Sequence, residues 1–135
     1  MANTFNLTIV TPNGKKLSDE VSILNCVTTA GAVGILANHI PLVAIIEISH
    51  LNYKKPDGNG GVESVDIAIA GGVLSVKDNQ AVVLAEAFET KDEIDRQRAE
   101  EAKRRAEERL SSNDDNIDTK RAELALKRAM SRLSL

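Results

Sequence analysis

The hydrophobic spacing of this chain changes period once, near Thr90, and that change limits what the chain can fold into. Before it, apolar residues alternate. In "TFNLTIV", Phe5, Leu7 and Ile9 face one way and polar residues the other, which is the pattern of a half-buried strand. Short runs rich in Val and Ile follow: "EVSILNCV", "LVAIIEI", "HLNYK", "SVDIAIA", "GVLSV" and "QAVVLAEAF", a composition that suits a pleated surface. The stretches "TPNG", "GAVG", "KPDGNGG", "AGG" and "KDN" between them read as turns, with "KPDGNGG" as an exposed hairpin tip. Many short strands divided by such turns predict an antiparallel β-sandwich or flattened barrel.

After Thr90 the period is helical. Thr90 and Glu93 fit a capping box. Ala99, Ala102, Ala106 and Leu110 then recur at steps of three and four, a narrow apolar stripe. "SSNDDN" interrupts it with residues that favour caps and turns. A second helix is expected from about Asp115, with its stripe on Ala122, Ala125 or Leu126, Ala129 and Leu133. A short loop between two helices predicts an antiparallel hairpin. The fold class is therefore α+β in two parts, a sandwich over 1–89 and a helical hairpin over 90–135. Alanine buries little area, at roughly 25 cal/mol per Å², so the hairpin is expected to pack marginally and to open when a partner or ligand favours another arrangement.

Charge divides the chain at the same point. Residues 1–90 hold five basic side chains, all lysine, and nine acidic ones, whereas residues 91–135 hold twelve basic, including every arginine, and eleven acidic. The net charge of -3 lacks the basic field of a general nucleic-acid binder. The one cysteine, Cys26, allows no internal disulfide and reads as a small buried hydrophobe. "MANTFNLTIV" has no basic start and no cleavable apolar run, and no stretch reaches the roughly 18 apolar residues of a membrane span. A soluble chain in a reducing compartment is expected. No phosphate loop, nucleophile elbow or Cys/His metal spacing is present, and His39 and His50 lack sequence partners. No catalytic residue, metal or required cofactor is expected.

The arginine-rich hairpin remains. Asp95 and Arg98 are three apart and can pair on one turn. Arg128 and Arg132 are four apart and share a face. In an antiparallel hairpin these two pairs meet at one end, with Glu89 beside them. Arginine's planar fork suits phosphate, and Asp95 or Glu89 can accept hydrogen bonds from a base or ribose. Spacing alone also fits an ordinary solvated helix face.

"GILANHIPLV" at 34–43, "AGGVLSV" at 70–76, "AEEAKRRAEERL" and "RAELALKRAMSRL" resemble the epsilon subunit of F-type ATP synthase, in the same order and over essentially the whole chain. The resemblance implies a flattened sandwich of about ten strands followed by two helices. It implies a non-catalytic rotor subunit whose sandwich holds the gamma subunit and rests on the c-ring. The hairpin would alternate between a compact form and an extended one that reaches the alpha and beta subunits and hinders ATP hydrolysis. The family pattern [Ile/Leu]-Asp-x-x-Arg-Ala is matched by Ile94, Asp95, Arg98 and Ala99. The family's other nucleotide contacts fall on Glu89, Arg128 and Arg132, with ATP as a regulatory ligand that stabilises the compact form. An adenine would sit against aliphatic groups such as Ile94 and Ala99. The rotor-contact loop would include Gly34, Ile35, Leu36, His39, Pro41 and Leu42. Ala32, Ala37 and Asn38 depart from the family's usual residues there, and Ala32 stands where many relatives carry a glutamate. The implied location is peripheral, on the cytoplasmic side of a bacterial plasma membrane. An alternative is a stand-alone nucleotide-binding sensor acting through other partners.

Overall fold

The computed structural model describes residues 3–112 and 118–135. It contains β1 (Phe5–Val10), β2 (Lys16–Val21), β3 (Ile23–Thr28), β4 (Gly31–Leu36), β5 (Leu42–Pro56), β6 (Val62–Lys77), β7 (Gln80–Ala85) and β8 (Phe88–Thr90). A 3-10 turn (Lys91–Glu93), α1 (Arg96–Ser111) and α2 (Thr119–Leu133) follow. Among the described residues the sheet order is β2-β1-β7-β6-β5-β3-β4, with β8 also paired to β6. The neighbours are antiparallel except β1 and β7, which run parallel.

Eight strands do the work expected of ten, because two of them are long. β5 and β6 keep one register from Leu42↔Val76 to Pro56↔Val62, with no pair at Glu47 and Gly71. "AGG" is therefore no turn. It lies inside β6, where Gly71 takes φ +93° and only glycine adopts that conformation without strain. "GAVG" is likewise not a turn but most of β4, paired to β3. "EVSILNCV" breaks at Ser22, whose backbone N–H and hydroxyl both donate to the Lys54 carbonyl. "TPNG", "KPDGNGG" and "KDN" do stand between strands.

The folded sheet encloses one core of Phe5, Leu7, Ile9, Leu24, Ile35, Leu51, Ile67, Leu74 and Val83, with Cys26 among them. Its two layers are stitched where Tyr53 of β5 donates its hydroxyl to Asp19 of β2 at 2.6 Å, with Lys55 also beside Asp19. Burial and the Asp19 carboxylate push the Tyr53 phenol far above its ordinary range, so it remains a donor. Tyr53→Phe should lower the unfolding free energy by about 1.5–3 kcal/mol. Urea titration reads this as an earlier midpoint at unchanged slope; an unchanged midpoint would mean that the stitch contributes nothing.

The helices begin later than the capping box suggested. Thr90 and Glu93 do form that box, but it caps the 3-10 turn. α1 starts only after two intervening residues, Ile94 and Asp95, because Asp95 supplies a second cap, its carboxylate accepting from the Arg98 backbone N–H. The expected Asp95–Arg98 pair thus runs through the backbone, not the guanidinium. Asp118 caps α2 in the same way; the expected start at Asp115 lies outside the described residues. Ala99 and Ala106 of α1 and Ala122 and Ala129 of α2 are buried, as the two stripes require. Arg96 donates to the Leu133 carbonyl at 3.1 Å, tying the start of α1 to the end of α2. α2 also rests on β5 and β6, so it lies between α1 and the sandwich.

Candidate functional site

The connection from sandwich to hairpin is clamped before it pivots. Lys15, in the β1–β2 turn, donates to the Phe88 carbonyl at 2.8 Å, lies over the Phe88 ring and pairs with Glu93 at 2.7 Å. This Lys15 contact, helped by the Thr90 backbone N–H, holds the Glu93 carboxyl below its usual range. A depressed carboxylate contributes while ionised, so the clamp is present at neutral pH and is lost as pH falls through that lowered value. The next residue, Ile94, is extended at φ -77°, ψ 122°, and α1 follows.

Beyond the pivot, the start of α1, the end of α2 and the last strand enclose a cleft of about 330 Å³. It is lined by Glu89, Glu93, Asp95, Arg98, Ala99, Ala102, Arg105 and Arg132. At its base Arg132 Nε meets Glu89 Oε1 at 2.7 Å, both half-buried. Each carboxylate already has a partner: Glu89 holds Arg132, Glu93 holds Lys15 and Asp95 caps α1. Among the described residues, the guanidiniums of Arg98 and Arg105 have no ion pair. Arg98 lies in the first turn of α1, near the partial positive end of the helix, and Arg105 lies about two turns further along the same helix. The cleft can therefore take an anionic group on arginine forks.

Of the residues expected from sequence, Glu89, Asp95, Arg98, Ala99 and Arg132 come together here. Arg128 does not line the cleft. It lines a smaller recess on the sandwich side with Ala68, Phe88 and Ser131, and that recess shares Glu89 and Arg132 with the cleft. Ile94 sits at the pivot and lines neither. Arg105 joins the cleft from outside the expected set. Its signal was present, since 98, 102 and 105 follow one helical face.

The residues expected at the rotor contact do not form one continuous loop. Gly34, Ile35 and Leu36 belong to β4, and Leu42 opens β5. Ile35 is fully buried and belongs to the core. His39 bonds the adjacent Ile40 carbonyl at 2.6 Å, and Asn38 donates to the Asn79 side chain at 2.8 Å, which fixes this bend against the β6–β7 turn. Pro41 is exposed. Leu36, Ile40, Val43 and Ile45 are exposed apolar side chains. Ile45 stands opposite Val73, and Val73 opposite Leu84, and both are exposed too. An apolar band thus crosses the outer face of the sheet. Among the described residues, no helix is long and apolar enough to cross a membrane.

Known proteins share this arrangement. Residues 4–91 match the family described as ATP synthase, Delta/Epsilon chain, beta-sandwich domain, and residues 92–135 match its long alpha-helix domain. The ATP synthase epsilon chain of Priestia megaterium is 44% identical over 109 residues, covering 81% of this chain and 78% of the relative. That of Desulfitobacterium hafniense is 42% identical over 114 residues, covering 84% and 83%. In fold, a chain from the mitochondrial ATP synthase of Euglena gracilis (OSCP/F1/c-ring) aligns at TM-score 0.79 and 21% identity, over 98% of this chain and 80% of that one. Two matched domains, in the order the structure places them, and relatives at this identity agree: the chain belongs to the ATP synthase delta/epsilon chain family and is of the epsilon type.

Proposed function

We propose that the chain is a non-catalytic regulatory subunit of the central rotor, and that its hairpin senses ATP. The observation that carries this reading is the cleft: two guanidiniums on one face of α1 that have no ion pair among the described residues, beside the Glu89–Arg132 pair. A nucleoside triphosphate suits that chemistry. Arg98 and Arg105 bind the phosphates, Arg132 turns to them from Glu89, and Asp95 or the released Glu89 accepts from ribose or base. Ala99 and Ala102 provide the aliphatic wall. Arg128 lies close enough to join when Arg132 moves, and Ile94 sets the angle of approach.

The ligand touches α1, α2 and β8 together, so it favours the docked hairpin over any form in which these elements separate. The shift cannot exceed ATP's preference for the docked form. An undocked hairpin extends toward the alpha and beta subunits and hinders hydrolysis. The apolar band on β5, β6 and β7 is the gamma surface, and the bend at His39–Pro41 meets the c-ring. Such exposed bands on a folded chain mark interaction surfaces. The complex operates on the cytoplasmic face of a bacterial plasma membrane.

Truncation after Thr90 tests the division of labour. The sandwich should still assemble with gamma and the c-ring, and ATP hydrolysis by the assembled complex should rise because the inhibitory element is gone. A truncated chain that fails to assemble, or a complex whose hydrolysis is unchanged, contradicts this reading.

A further inference from the structure

The charges that line the cleft balance, so the lining by itself offers a polyanion no net attraction. Glu89, Glu93 and Asp95 stand against Arg98, Arg105 and Arg132. Two of these carboxylates are engaged within the cleft wall: Glu89 holds Arg132, and Asp95 caps α1. Glu93 is matched from outside it. Its partner, Lys15 at 2.7 Å, belongs to the β1–β2 turn and does not line the cleft.

The turn that carries Lys15 holds it in place. The Lys15 backbone N–H donates to the Thr11 hydroxyl at 3.1 Å and to the Asn13 side chain at 3.2 Å. The Lys15 carbonyl accepts from the Thr11 backbone N–H at 3.0 Å, and Thr11 is buried. From there the ammonium, which has three donors, reaches the Phe88 carbonyl and Glu93 together, over the Phe88 ring. This contact keeps Glu93 ionised at neutral pH, so the charge to be matched is a full one.

Glu93 is fixed as well. Its other oxygen, Oε1, accepts from the Thr90 N–H at 3.1 Å and from the Thr90 hydroxyl at 3.0 Å. The carboxylate therefore stays at the rim of the cleft with or without Lys15, and Lys15 decides whether its charge is matched. Lys91 and Asp92 of the same 3-10 turn are opposite in charge and both exposed, so solvent screens them. Arg128 lines the adjoining recess, beside Glu89.

We propose that Lys15 is a positioning residue of the cleft that acts through Glu93: it matches that carboxylate from the sandwich side and leaves Arg98 and Arg105 in excess for a polyanion. This role rests on the reading that ATP binds in the cleft, and it assigns part of that binding to a residue of the sandwich that lies outside the cleft lining.

The test is calorimetric titration of the full chain with ATP in the wild type, Lys15→Met, Glu93→Gln and the double variant. Methionine keeps the length of the side chain and removes its charge. Glutamine keeps the Oε1 acceptor that caps the 3-10 turn. Lys15→Met should weaken ATP binding about three- to tenfold, because an unmatched carboxylate then stands near the phosphates. That ratio should shrink as sodium chloride rises from about 0.05 to about 0.5 M. Glu93→Gln leaves Lys15 in excess and should bind ATP more tightly by a similar factor. The double variant restores the balance and should return to within about twofold of the wild type. It lacks the ion pair just as Lys15→Met does, so its recovery separates charge from structure. A double variant as weak as Lys15→Met, or a loss that salt leaves unchanged, overturns the proposal, because Lys15 would then act through the fold. Equal affinity in wild type and Lys15→Met overturns it too. A wild type that binds no ATP overturns the nucleotide reading and this role together, and is distinguishable because the wild type alone decides it.

Discussion

Gly72→Val is expected to destabilise the sandwich by about 3 kcal/mol or more. A Cβ at Gly72 would lie 2.3 Å from the Leu84 carbonyl oxygen and 2.9 Å from the Ala85 Cα. Both are backbone atoms of β7, paired to β6 through Gly72↔Ala85 and Val73↔Leu84, so the clash cannot be relieved by turning a side chain. Valine must push β7 off β6 at the bend, and the interior has no slack for it. For a domain of this size each kcal/mol shifts the melting temperature by roughly 4–8 °C, so the variant should melt more than about 10 °C below the wild type. Gly71→Ala is the control: its φ of +93° costs strain, but its nearest new contact is at 3.5 Å, so it should lose less. A Gly72→Val protein melting within a few degrees of wild type would mean that β6 and β7 do not approach this closely.

Ala129→Leu should open the hairpin while leaving the sandwich intact. Ala129 is fully buried, in the narrow stripe that faces α1. Three added carbons have no room there, and overpacking costs about 1–3 kcal/mol. Set against a seam that alanines hold weakly, this shifts the hairpin equilibrium about five- to hundredfold. Amide exchange should quicken across α1 and α2 and remain slow in β5 and β6. In an assembled complex the same substitution should deepen inhibition of ATP hydrolysis, because the undocked form gains population. Unchanged exchange in α1 would show that the seam is not what limits opening.

The sequence carried the local features and missed those set by distant neighbours. Phe5, Leu7 and Ile9 alternate in the chain and are buried in the structure, because a strand's two faces are decided residue by residue. The alanine stripes were equally legible. "AGG" was not, since glycine marks both a turn and a close approach, and what settles the choice is the backbone of Leu84 lying against Gly72. α1 starts later than Thr90 suggests because two caps compete within six residues, and the second, Asp95, uses its carboxylate on a backbone N–H. The site was half legible. Spacing and family resemblance brought Glu89, Asp95, Arg98 and Arg132 to one end, but the lining by Arg105 and the displacement of Arg128 depend on how α2 lies on β5 and β6. The place of Lys15 has no sequence signal, since its partners are the Phe88 carbonyl, 73 residues away, and Glu93.

Calorimetric titration of the full chain with ATP, beside Arg98→Ala and Arg132→Ala, tests the nucleotide-sensing hairpin most directly. Wild type should bind saturably, and each substitution should weaken binding about ten- to hundredfold, the loss expected for a hydrogen bond between charged groups. Absence of binding at millimolar ATP, or equal affinity in all three proteins, would contradict it. Arg132 would then be only the partner of Glu89, and the hairpin would answer to its protein partners and not to ATP.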